Sequence, residues 1–211
     1  LSDDPLEDHI TSIISQDVKE YLLAVGAFDG VLGSGNYAMF LAIILIHARD
    51  YMNIDTNDKL NIWCDLHIKN MNKYGFWGKF NNITYSQFQN GYHQYEIFNY
   101  LDIENKKLSN AIDGVISLVD ADGHFSPYPG GGGCYDYDAT FIITAKEKKI
   151  VTKHQKLLIK IMNNIISEQN DDGGFAESHF IRPRSFRNII KSINHISIGF
   201  GQSRFEKIYQ F

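Results

Sequence analysis

Tyr92, His93 and Glu96 stand at spacings of three and four that put a phenol, an imidazole and a carboxylate on one helical face. Asp136 and Asp138 lie behind four glycines (130–133) and Cys134, at the entrance to an apolar segment. If the two stretches sit on neighbouring helices, they form one pocket. Such a mixture of groups suits general acid and base work on a sugar ring. The plainer alternatives are a polar-lined opening, since Tyr and His sit comfortably half buried, and Asp residues that only cap a helix.

A further group is Arg182-Pro183-Arg184-Ser185, with Arg187 close behind. Arginines at a helix start capped by Ser185 would hold phosphate, pyrophosphate or carboxylate; the alternative is a solvated turn. The four glycines are not a phosphate loop, because no Gly-Lys-Ser/Thr follows them. They let the backbone pass close to a cavity or flex as a lid. Phe125 and Tyr135 flank the glycine stretch and are the aromatic candidates for contact with a substrate.

Helices must position these side chains. Apolar residues recur at i, i+3 and i+4 along most of the chain, and no strand alternation is sustained. One amphipathic helix is predicted from Ile10 to Val25, stopping at Gly26. Others are predicted over 36–51, 58–73, 85–101, 104–119, 138–149, 152–169 and 185–198, with Thr152 and Gln155 as a capping box. The turns between them carry Phe28, Phe76, Phe125 and Phe175 at steps of 48, 49 and 50 residues. A period near fifty that holds two helices means stacked helical hairpins, each burying its apolar face on its neighbours. The expectation is one all-α domain over 1–211, with hairpins at 8–51, 58–101, 104–149 and 152–198. The second helices of the first and third hairpins, beginning at Asn36 and Asp138, are the more apolar ones. This favours a ring with alternate helices inside and outside over an open superhelix, and it gathers the inner-helix N-termini around one mouth.

The segment Gln169-Asn170-Asp171-Asp172-Gly173-Gly174-Phe175 resembles the Gln-x-x-x-Gly-Gly-Trp/Phe repeat of the terpenoid cyclase and protein prenyltransferase superfamily. Asp122-Gly123-His124-Phe125 and Tyr74-Gly75-Phe76-Trp77 resemble weaker copies. The resemblance implies an α/α toroid. Four hairpins are fewer than such toroids usually have, which implies an incomplete ring, a longer chain, or an oligomer or partner that completes it.

The same resemblance assigns roles by position. Asp136-Tyr137-Asp138-Ala139-Thr140 is similar to the Asp-x-Asp-Asp-Thr-Ala motif of class II terpene cyclases, which makes Asp138 the proton donor and Asp136 the first Asp. Ala139 stands where that motif has its last Asp. A carboxylic acid protonates an alkene only when burial or a neighbouring carboxylate keeps it neutral, whereas a helix N-terminus favours the ionised form. The protein prenyltransferases imply a zinc held by Cys134, Asp136 and His195 or His179, leaving one open position. Gly132 stands where those enzymes have an Asp two residues before the Cys, and a lone Cys beside glycines also reads as a small buried residue.

Composition narrows the field. With 211 residues and 44% hydrophobic content, the chain can bury a full core. The formal charge is -5 with dispersed Lys and Arg, which argues against a nucleic-acid partner. Cys64 and Cys134 make no disulfide framework, and with no transmembrane span or signal peptide expected, the reading is cytoplasmic. Three functions follow as expectations. The first is an isoprenoid-handling cyclase or prenyltransferase-like enzyme. The second is a carbohydrate-active lyase, epimerase or hydrolase, and the third is a non-catalytic helical-repeat binding domain.

Overall fold

The computed structural model describes residues 5–30, 33–79, 82–125, 133–145, 149–175, 186 and 189–190. Among them are eight named helices and no named strand. In chain order the helices are α1 (Pro5–Ser15), α2 (Val18–Ala24), α3 (Ser34–Tyr51), α4 (Asn57–Asn70), α5 (Tyr85–Tyr100), α6 (Leu108–Leu118), α7 (Gly133–Thr144) and α8 (Lys149–Ser167).

Local chemistry explains where these boundaries depart from the periodicity. The first predicted helix is two, because the Asp17 side chain accepts the Glu20 amide and starts α2 afresh. Helix α6 begins at Leu108 rather than Glu104, since Asn105 accepts the Lys107 amide in a turn ahead of it. The capping box predicted at Thr152 falls inside α8. One occurs instead at Thr84 and Gln87, which exchange side-chain and backbone hydrogen bonds at the start of α5. Most consequential is α7, which starts at Gly133, five residues before Asp138. Asp136 therefore lies in its first turn and Asp138 in its second, and neither is the residue that caps it.

Helix α3 packs on α5, and α5 packs on α7; α4 packs on α2 and α3, while α6 and α8 pack on α7. One continuous apolar core runs through them, with Leu41, Leu45, Trp63, Phe76, Phe88 and Ile142 among its fully buried members. The α3–α5 crossing is close: a Cβ on Gly35 would stand 2.2 Å from the Asn90 carbonyl oxygen. Gly33 precedes α3 and has no side chain to cap it. Asn90 of α5 supplies the cap, its Oδ1 accepting the amides of Gly33 at 2.9 Å and Gly35 at 3.1 Å.

Three turns that each follow a helix share a hydrogen-bond pattern. The Asn72, Asp120 and Asn170 amides donate to the carbonyls of Phe76, His124 and Gly174, and the amides of Gly75, Gly123 and Gly173 return to the first residue of each turn. All three of these glycines have positive φ, at 81°, 90° and 85°, which explains the residue type. The pattern aligns Trp77, rather than Phe76, with Phe125 and Phe175, and Phe76 takes the place of His124. The turn holding Phe28 is bonded differently, with Ala27 donating to Leu22. The aromatic register expected from sequence is thus shifted by one residue in the second turn.

Candidate functional site

The Asp136 carboxylate is buried, at 2% exposure, and turns into its own loop. Oδ1 accepts the Phe125 amide at 2.9 Å, and Oδ2 stands 2.6 Å from His124 Nδ1. A carboxylate only accepts, so Nδ1 is the protonated ring nitrogen. Phe125 and Tyr135, expected to meet substrate, are core side chains, both packed around Phe88 at ring separations of 6.5 and 6.2 Å.

The face predicted on α5 is present. The Tyr92 hydroxyl donates to Glu96 Oε1 at 2.6 Å, and His93 Nδ1 lies 3.6 Å from Glu96 Oε2. Across the α5–α7 contact, the Tyr92 ring meets Phe141 at 5.5 Å and Tyr137 at 6.1 Å. Burial, then the hydrogen bond to Glu96, then the charges of Glu96 and Asp138, push the Tyr92 phenol well above its ordinary pKa. It is therefore a proton-bearing donor at neutral pH. Burial lowers the pKa of His93 against the opposing pull of Glu96, which favours the neutral imidazole. Asp138 is itself buried, at 5% exposure. The two acids of α7 thus diverge: Asp136 serves the turn, and Asp138 belongs electrostatically with Tyr92.

A cavity of about 520 Å³ adjoins this cluster, walled by Met39, Ile43 and Ile46 of α3, Ile97 of α5 and Phe141 of α7. Glu96 lines it, and Tyr51 and Tyr100 mark its end. It follows the C-terminal parts of α3 and α5, whereas sequence reasoning expected an opening at the inner-helix N-termini.

The predicted zinc ligands do not form a described set. Cys134 is exposed, Asp136 faces His124, and His195 lies outside the described residues, as do His179, Arg182 and Arg184. Among the described residues no group of three or more His, Cys, Asp and Glu side chains has a metal-binding arrangement. Nor is any described helix long and apolar enough to cross a membrane. Comparison with protein-family models, curated proteins and solved structures finds no match. Sequence reasoning missed His124 as the partner of Asp136. The signal was its place inside the Gly-aromatic turn, where a polar side chain needs a buried acceptor.

Proposed function

We propose that the chain is an acid-initiated enzyme of the terpenoid cyclase or prenyltransferase-like type, built on an α/α-toroid frame and acting on an apolar, unsaturated substrate. The observation that carries this reading is Asp138: a buried carboxyl group that acts on Tyr92, one helical turn before Phe141, which lines an apolar cavity together with Glu96. Support for the frame comes from the succession α3, α5, α7 and from the recurring hydrogen-bonded turn.

In this chemistry Asp138 acts in its protonated form and gives that proton to a carbon–carbon double bond, leaving a carboxylate and a carbocation. The π faces of Tyr92, Tyr137 and Phe141 stabilise the cation. Loss of a proton from the cyclised cation forms the final double bond and balances the reaction. Glu96 is the acceptor on the cavity wall, and Tyr92 holds it in place. A second reading is a carbohydrate-active enzyme, favoured by the neutral His93 beside Glu96, a base and an acid for a sugar ring.

Linear polyenes and prenyl diphosphates, incubated with the purified protein in parallel with uronic-acid oligosaccharides, test both. Cyclised product that disappears with Asp138→Asn supports the first reading. Saccharide turnover that survives Asp138→Asn and fails with Glu96→Gln replaces it with the second. No turnover of either class by the unmodified protein would leave a binding domain as the better account.

A further inference from the structure

Polar residues follow one helical turn beyond the apolar wall of the cavity. Asn36 precedes Met39 and Ile43 on α3, and Gln89 and His93 precede Glu96 on α5, so helical spacing continues the wall toward the N-termini through these three residues. The two helices are locked at this level, where Asn90 caps α3 and Gln94 Nε2 donates to the Gly35 carbonyl at 2.9 Å.

Three buried atoms here, Asn36 Oδ1, Gln89 Oε1 and His93 Nδ1, have no hydrogen-bond partner among the described residues; Glu96 Oε2 faces His93 Nδ1 only at 3.6 Å, beyond hydrogen-bond length. Buried polar atoms are almost always paired, so a group of three points to a partner that arrives with a ligand. The surrounding charge limits what that ligand is. Helices α3, α5 and α7 contain one Arg or Lys, Arg49, which Asp50 holds at 2.6 Å, besides the histidines His47 and His93. Glu96 stands beside His93, and Glu96 and Asp138 both act on the phenol of Tyr92.

We propose that the cavity binds an amphiphile whose head is neutral and multiply hydroxylated, with its hydroxyls on Asn36, Gln89 and His93 and its apolar tail against Met39, Ile43 and Ile97. Amides and a neutral imidazole both donate and accept, as hydroxyls do. A phosphate head only accepts, and its negative charge calls for the Arg or Lys that these helices do not offer. The inference concerns the ligand's head: it does not depend on whether Asp138 or Glu96 carries the chemistry, and it speaks against a diphosphate-bearing substrate.

Calorimetric titration of the full chain separates the alternatives. The probes are octyl β-glucoside, kept below its micelle concentration, and octyl phosphate, with and without Mg²⁺. The glucoside is expected to bind at least about tenfold more tightly than the phosphate. Asn36→Leu and Gln89→Leu should each weaken the glucoside about fivefold and leave octyl phosphate unchanged. Gln89→Arg should move the preference toward the phosphate. Equal or tighter binding of octyl phosphate, no binding of the glucoside, or glucoside affinity indifferent to all three substitutions would overturn the proposal. Because binding is read without turnover, a failed catalytic assay leaves this result standing, and a failed titration leaves the acid chemistry to its own test.

Discussion

Asp136 in the first turn of α7 meets His124 of the Gly-aromatic turn at 2.6 Å, and the carboxylate's other oxygen accepts the amide of Phe125, the residue after His124. The pair ties two positions twelve apart in the chain, the turn and the start of α7. Asp136→Ala should lower unfolding free energy by about 3 kcal/mol, because it strands a buried amide and a buried imidazole. Asp136→Asn, which keeps an acceptor for the amide, should cost about half as much. Urea denaturation decides it, and an unchanged midpoint for Asp136→Ala would mean that the carboxylate does not hold the turn.

Asp138→Asn is expected to have the opposite profile. If the proposed acid chemistry holds, turnover of the polyene should fall at least about a hundredfold, since an amide has no acidic proton to give. The thermal midpoint should stay within a few degrees of the unmodified protein, because the two side chains have nearly the same volume. A loss of activity that tracks a loss of folded protein would make Asp138 structural.

At Gly35 two effects compete. Replacing a helical Gly by Ala favours the helix by about 1 kcal/mol on intrinsic propensity. The added methyl, however, would stand 2.2 Å from the Asn90 carbonyl oxygen, so α3 and α5 must separate or shift. Overpacking of that kind costs about 3 kcal/mol, and Gly35→Ala should be net destabilising in denaturation experiments. Asn90→Ala, which removes the cap from the Gly33 and Gly35 amides, should cost about 1–2 kcal/mol.

His67 predicts a pH dependence. It is fully buried, donates Nδ1–H to the Trp63 carbonyl at 2.7 Å, and packs on Trp63, Phe28 and Trp77. Burial pulls its pKa down to about 3, against the smaller opposing effect of that hydrogen bond. The unfolded chain binds a proton near pH 6.5 and the folded chain does not, so stability is intact above that pH and falls as pH drops toward 3. The slope from this one group is at most about 1.4 kcal/mol per pH unit. His67→Phe should flatten it, and equal slopes for the two proteins between pH 6.5 and 4 would count against a buried neutral histidine.

The two thiols should separate by reactivity. Burial pushes Cys64 up to about 11, while Cys134 is exposed on the first turn of α7. An alkylating reagent at neutral pH should modify Cys134 in the folded protein, and Cys64 only after unfolding. Peptide mass mapping reads the difference directly.

The all-helical character was legible in the sequence because the spacing of apolar residues along a helix is a local property that repeats every turn. The Gly-aromatic turns were legible for a related reason: a backbone with positive φ selects glycine at Gly75, Gly123 and Gly173. The face of Tyr92, His93 and Glu96 was legible too, since residues three and four apart must be neighbours on one helix. Helix starts were less so. Asp17 and Thr84 begin helices through their side chains, but so could Thr152, and sequence alone does not say which hydrogen bonds form.

Only the tertiary structure separated Asp136 from Asp138. Two residues apart on a helix, they point about 200° apart around its axis, so one meets the preceding turn and the other the neighbouring α5. Nothing in Asp-Tyr-Asp says which direction holds a histidine and which a phenol; that depends on where His124 and Tyr92 are brought by chain far from either acid. The same holds for Asn90, an ordinary polar residue in its own helix that becomes the cap of another. Periodicity and turn chemistry act over a few residues and can be read from a string, whereas these pairings act through space and exist only once the helices have packed.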